Sequence, residues 1–296
     1  MAQTSVSGGG GGSERSVIAN GPLAGKTLSE VIREAGRDLL GDLSLTEDGG
    51  FPILLKFLDA RQNLSVQVHP SPDYAATHED AFLKSEAWYI LDADPGAVIY
   101  KGVKPGVKPD QFKQAIEDNT VEDLLIKVQV KPGDCHYLPS GTCHALGAGV
   151  LVAEVQTPSD TTYRVYDWGR TGRELHIEQA MQCIEFGPPD VSRYELNTPL
   201  KGAFGDITRL VVCEFFRIDR YRVDDKGEHA LTVDQPVIWM VLEGGGTIRC
   251  ENAPPVTFGR GQTILLPPGM RNPILDVEAG AQWLEVTFPQ ADQRMA

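Results

Sequence analysis

Gly133–His144 reads GDCHYLPSGTCH, and Gly261–Asn272 reads GQTILLPPGMRN. The two share one spacing, G-x5-P-x-G-x2, and close on His144 in the first copy and Asn272 in the second. Each places an apolar segment before a Pro-x-Gly turn, the pattern of a strand running into a tight turn. Upstream, Trp88-Tyr89-Ile90-Leu91-Asp92 parallels Trp239-Met240-Val241-Leu242-Glu243. The first Trp precedes its Gly by 45 residues (88 to 133) and the second by 22 (239 to 261). Val103 to Lys127 account for the difference. Pro109 suits a first helical turn, Phe112, Ala115 and Ile116 form a stripe, and Thr120 with Asp123 starts a second short helix. Two related β units, the first with a helical insert, explain both the match and the gap.

Outward from the repeat, 31 Gly and 20 Pro cut the 296 residues into short segments, which favours an all-β chain with a few helices. Lys26 to Leu40 reads as the first helix, with Thr27 and Glu30 at capping-box spacing and Gly41 as its stop. Phe51 to Ala60 is apolar and fits a buried strand. LSVQVHP, Leu64 to Pro70, alternates with a period of two, so Gln67 and His69 share a face opposite Val66 and Val68. Lys84 to Leu91 is the next strand, and it puts Lys84 and Glu86 on one face. Strands continue to Arg170, a helical stripe of Ile177, Ala180, Met181 and Ile184 lies within 173–186, and GPPD (187–190) marks a boundary. The expected organisation is a disordered Gly-rich tail at 1–15, a first domain at 16–186 and a second at 187–296.

A net charge of −14 argues against nucleic-acid and anionic-membrane surfaces, and it leaves room for a phosphorylated substrate held by a few local cations. The five Cys are odd in number and contain no CxxC pair, so neither a disulfide framework nor a zinc knuckle is indicated. The start of the chain lacks the apolar stretch of a signal peptide, and no run approaches about 18 apolar residues. A cytoplasmic protein, monomer or homodimer, with no nucleic-acid or membrane partner is expected.

The two copies differ where chemistry would lie. Glu86 stands two residues before the first Trp and Lys84 four before it; the second copy has Val237 and Gln235 there. His144 is matched by Asn272. An amide and an imidazole on one strand face suit a metal site, and equally suit a half-buried strand whose polar side meets water. Imidazole and carboxylate together suit a zinc site that keeps open positions, while two His and one Glu also match the facial triad of non-haem iron. His78 lies in a polar loop beside these residues. His136 and His176 carry no assignment, the latter reading as a helix-start residue, and Cys135 and Cys143 read as small buried fillers.

The Gly-x5-Pro-x-Gly-x2-His pattern resembles the second motif of the cupin fold, a small double-sheet jelly roll. GPLAGKTLSEVI, FPILLKFLDARQNLSVQVHP, KSEAWYIL, PSGTCHALGAG and EVQTPSDTTYRVYDWGR together resemble the type I phosphomannose isomerases in their short bacterial form. The resemblance implies two cupin-type barrels and an enzyme interconverting mannose 6-phosphate and fructose 6-phosphate through an enediolate, with one zinc per chain. It places metal ligands at His69, Glu86 and His144, with Gln67 as a fourth position. It also places an essential arginine at Arg164 and a proton-transferring lysine at Lys84. An Fe(II) cupin dioxygenase and a non-catalytic sugar-binding cupin protein are the alternatives.

Overall fold

The computed structural model describes residues 16–289. The Gly-rich tail expected at 1–15 lies outside them. Thr27 caps α1 (Leu28–Ala35) with a full capping box. The expected single helix then breaks at Gly36, whose φ of +48° ends α1 before α2 (Arg37–Leu40) begins.

One unit spans 53–193. Its strands are β1 (Leu54–Ala60), β2 (Val66–Val68), β3 (Glu86–Ala93), β4 (Val98–Val103), β5 (Leu125–Gln129), β6 (Cys135–Leu138), β7 (His144–Leu146), β8 (Val150–Gln156) and β9 (Tyr163–Tyr166). Two antiparallel sheets, ordered β1-β8-β3-β6 and β5-β4-β7-β2-β9, form a jelly roll. Trp88, Ile90, Ile99, Leu138, Leu146 and Val152 fill its interior. On the outer face of the second sheet, Val66, Val68, Tyr100, Cys143 and Val165 pack under α4 (Pro109–Glu117) and α5 (Ile177–Cys183) through Phe112, Ile116 and Ala180. The short α3 (Pro72–Ala75) follows β2. The insert is as expected in place, although its second element is a single 3-10 turn, Val121–Leu124.

The other unit joins the described residues up to Pro52 to Tyr194 onward, so the expected 16–186 and 187–296 boundaries shift. The cause lies in the apolar side of the first helices. Val31, Ile32, Leu39 and Leu40 cluster with Leu265, Phe51 packs edge-on against Phe288 at 5.8 Å, and the Gly269 amide donates to the Asp38 carbonyl at 2.9 Å. The strands here are β10 (Glu195–Lys201), β11 (Asp206–Val212), β12 (Arg217–Arg222), β13 (Gly227–Ala230), β14 (Val237–Glu243), β15 (Gly245–Cys250), β16 (Ala253–Gly259), β17 (Thr263–Leu266), β18 (Ile274–Val277) and β19 (Gln282–Thr287). They form sheets β10-β11-β12-β19-β14-β17 and β13-β18-β15-β16.

The repeat is now visible strand by strand. β1-β8-β3-β6 recurs as β12-β19-β14-β17, and β5-β4-β7-β2 as β16-β15-β18-β13, each strand displaced by eleven. One pair recurs with it: Trp88 Nε1 donates to Glu154 at 2.9 Å, and Trp239 Nε1 to Glu285 at 3.0 Å. The third member of that row is Lys56 in the first unit and Asp219 in the second.

Candidate metal centre and active site

His69 leaves the end of β2, Glu86 opens β3 and His144 opens β7. The turn before His144 ties all three together. The Gly141 amide donates to the His69 carbonyl at 3.1 Å, and the Ser140 amide to the hydroxyl of Ser85, next to Glu86, at 3.2 Å. Gly141 holds φ at +84°, and a Cβ there would meet Glu185 Cγ at 3.0 Å and the Cys183 carbonyl at 3.2 Å. Only glycine fits that turn without strain.

All three residues are 1% exposed or less. His144 Nε2 lies 3.1 Å from Glu86 Oε1, and His69 Nε2 lies 3.4 Å from Glu86 Oε2. One ligand atom from each residue falls within 4.8 Å of the others, the tight group of this kind found among the described residues. The tautomers follow from the far nitrogens. His69 Nδ1 donates to the Thr161 carbonyl (3.0 Å) and His144 Nδ1 to the Thr142 carbonyl (2.8 Å). A carbonyl oxygen only accepts, so each ring carries a proton on Nδ1 and turns Nε2 toward the carboxylate. His69 Nε2 and both Glu86 oxygens are buried with no hydrogen bond of acceptable geometry. Two imidazole nitrogens and a carboxylate converging in a dry site fit a cation, and backbone-anchored imidazoles are how metal ligands are held.

Gln67 lies beside the group, its amide nitrogen 3.2 Å from His144 Nε2. Lys84, 5% exposed, places Nζ 3.0 Å from Glu86 Oε2. Burial works to lower the Lys84 pKa, but Glu86, then Glu154, outweigh it and hold the ammonium above its ordinary value. The lysine thus stands as a cation, not as the lowered amine that base catalysis asks for. Burial opposes charge on Glu86 too, and the neighbouring Lys84 and His144 still hold its carboxyl well below the usual range. Burial and the Lys84 charge push His69 down to about 4.

Antiparallel register extends the site sideways. Lys101 on β4 stands opposite His144, His144 opposite Gln67, and Gln67 opposite Arg164 on β9. Cross-strand partners share a face, so these four form a row on the inner wall. Arg164 Nε donates to Ser65 Oγ at 3.2 Å and Nη1 to the Glu174 carbonyl at 2.9 Å. Facing them on the other sheet, Lys56 Nζ bonds Glu154 at 3.0 Å and Gln156 at 2.5 Å. Sequence reasoning missed Lys56 and Lys101, because only register reveals that they join the row. His78 instead stacks on Tyr74 at 3.8 Å, outside the ligand group. Cys135 and Cys143 are buried, and burial pushes the Cys143 thiol up to about 12. In the second unit, Val237 is buried core and Asn272 is exposed, bonding Glu251 at 2.7 Å.

Mannose-6-phosphate isomerase ManA of Bacillus subtilis is 40% identical over 266 residues, which cover 86% of this chain and 80% of the relative. This chain belongs to the type I phosphomannose isomerase family. The family model for "Phosphomannose isomerase type I, catalytic domain" matches residues 9–97, which include His69 and Glu86. A mannose-6-phosphate isomerase of Streptococcus mutans is 38% identical over 79% of this chain and 72% of its own. The crystal structure of the Bacillus subtilis mannose 6-phosphate isomerase superposes with a TM-score of 0.80 at 32% identity, covering 92% of this chain and 85% of that one.

Proposed function

We propose that this chain is a zinc-dependent aldose–ketose isomerase that interconverts mannose 6-phosphate and fructose 6-phosphate through an enediolate. The observation that carries the reading is the convergence of His69, Glu86 and His144, all buried, with one ligand atom of each within 4.8 Å of the others. Nitrogen and carboxylate donors suit zinc, and Gln67 is the fourth donor once its amide turns its oxygen inward. Bound there, the ion supplies Lewis acidity to the sugar's oxygens.

The chain's own residues do the rest. In the open-chain aldose the C2–H bond breaks, its electron pair forms the C1–C2 double bond, and the carbonyl pair moves onto O1. Lys84 is assigned the proton that moves from C2 to C1: once the Glu86 charge is committed to a cation, burial is left to lower the lysine, and its neutral amine takes the C2 proton and returns it to C1. Arg164 keeps its charge throughout and meets the enediolate oxygen with a planar fork of donors. The proton from O2 ends on O1 as the ketone forms at C2. Lys56, Lys84, Lys101 and Arg164 gather positive charge on the barrel wall of a chain whose net charge is −14, which favours an anionic hexose 6-phosphate.

A coupled assay of mannose 6-phosphate conversion, with chelator and then with zinc restored, tests the reading. Turnover should vanish with chelator, return with zinc and be the same in air and under anaerobic conditions. Oxygen consumption supported by Fe(II) would instead mark a dioxygenase, and calorimetric binding without turnover a sugar-binding protein.

A further inference from the structure

We propose that His176 is a positioning residue for Arg164, setting the arginine's place on the barrel wall through its imidazole. The inference rests on the isomerase reading above and on the role given there to Arg164. β9 is the last strand of its sheet, so one edge of Arg164 has no neighbouring strand. His176 fills that edge with two groups. Its backbone N–H donates to the Arg164 carbonyl at 2.8 Å, and its Nδ1 accepts the Arg164 N–H at 3.2 Å. A single residue thus replaces one rung of a missing strand. Because the Arg164 N–H and C=O both point to this edge, its pairing with Gln67 is of the non-hydrogen-bonded kind, in which facing side chains stand closest.

The imidazole is not spent on the helix it introduces. His176 occupies the N-cap of α5 and makes no side-chain cap bond there. It turns back to Arg164 instead, and accepting at Nδ1 requires the ring proton on Nε2. The segment that delivers it is braced separately. Asp167, buried, takes a two-point contact from Arg173 (2.9 and 2.8 Å) and a 2.6 Å bond from Arg170. Glu174, two residues before His176, accepts from the Arg164 guanidinium itself. The loop therefore holds Arg164 at its amide, its carbonyl and its side chain, and His176 supplies two of the three grips.

The test combines His176→Phe and His176→Asn, each in the wild-type and Arg164→Met backgrounds. Phe keeps a ring without the acceptor, and the Asn side-chain oxygen reaches about where Nδ1 stands. His176→Phe should lower kcat about 10- to 100-fold, the scale of a misplaced catalytic group. KM should stay within about threefold, with metal content unchanged. His176→Asn should recover most of the loss. In the Arg164→Met background His176→Phe should add less than about twofold, because both changes remove one function. Equal losses in both backgrounds, or an Asn variant as slow as Phe, would overturn the inference. If Arg164→Met itself turned over normally, the role given to Arg164 would fail first. Hydrogen exchange at the Arg164 amide reads the grip without any activity: slow with His or Asn, fast with Phe. Equal exchange rates would sink the inference whatever the enzyme's substrate.

Discussion

Arg164 carries the sharpest prediction at the scale of single residues. It bonds Ser65 and Glu174 and touches none of the three candidate ligands by any hydrogen bond or ion pair found among the described residues. Arg164→Met should keep its metal and lose turnover by about 100- to 1,000-fold, the cost of one preorganised donor. Lysine there should restore only part, because a point charge lacks the fork. Kinetics and elemental analysis on one preparation decide it; activity lost together with metal would show a structural arginine. A second prediction concerns Glu285. Burial raises its carboxyl above the ordinary 4.5, more than the Trp239 hydrogen bond lowers it. A raised acid holds its proton more tightly folded than unfolded, so its favourable contribution is complete below about 4.5 and is lost as pH rises above it. Glu285→Gln keeps an acceptor for Trp239 and removes the charge. Its stability relative to wild type should therefore climb with pH in denaturant melts; a pH-independent difference would contradict this. The candidate ligands were legible because His69, Glu86 and His144 sit in recognisable strings. Glu154, Lys56 and Lys101 were not, since their place depends on which strand lies opposite, and register is set by tertiary pairing.

At the scale of elements, the Pro-x-Gly turn positions the chemistry more than any strand does. Gly141 combines positive φ with neighbours 3.0–3.2 Å from any added Cβ. Gly141→Val should cost about 1–3 kcal/mol in backbone strain and crowding. Three residues later the push falls on His144, so metal content should drop as well. Unchanged melting temperature and metal would mean that the turn tolerates a side chain and that its glycine is incidental. Gly269, at the matching place in the second turn, has a close neighbour too, with Asp38 O 2.6 Å from an added Cβ, yet no ligand follows it. Substitution there should cost stability and leave metal content alone. The elements themselves were partly readable. The stripe of Phe112, Ala115 and Ile116 marks α4 because its period of 3.6 survives any tertiary context. The start of β3 was not readable: Lys84 and Ser85 were expected in the strand, but the Ser85 amide bonds Thr157 Oγ1 and its hydroxyl accepts from Ser140. The Ser85 carbonyl still accepts from the Thr157 amide, but its own amide goes to a side chain, and the paired ladder begins at Glu86.

For the whole molecule, the question is why two barrels with one strand plan contain one candidate ligand set among the described residues. Every strand from β1 to β8 has a counterpart eleven positions later, and the Trp–Glu pair is kept in both units. Shared interior packing preserves the barrel, whereas His, Glu and His are needed only where an ion sits. Val237 and Asn272 serve packing and a surface bond in the second unit. Elemental analysis should accordingly find about one zinc-type ion per chain, since three strong donors are the usual minimum for such a site. His144→Ala should lose most of it. The same asymmetry predicts how chelation acts. A ligand that binds only the folded state stabilises by RT ln(1 + [L]/Kd), about 2.7 kcal/mol at a hundredfold excess over Kd. That stabilisation belongs to the elements that supply donors: β2, β3 and β7. Without an ion, His69 Nε2 and both Glu86 oxygens lie buried with no hydrogen bond, which is unfavourable by itself. Hydrogen exchange before and after chelation should therefore speed up at β2, β3 and β7 while leaving the equivalent β13, β14 and β18 nearly unchanged. A uniform loss of protection in both barrels would show that the ion acts on the whole chain, and that the second barrel is not energetically separate from the first.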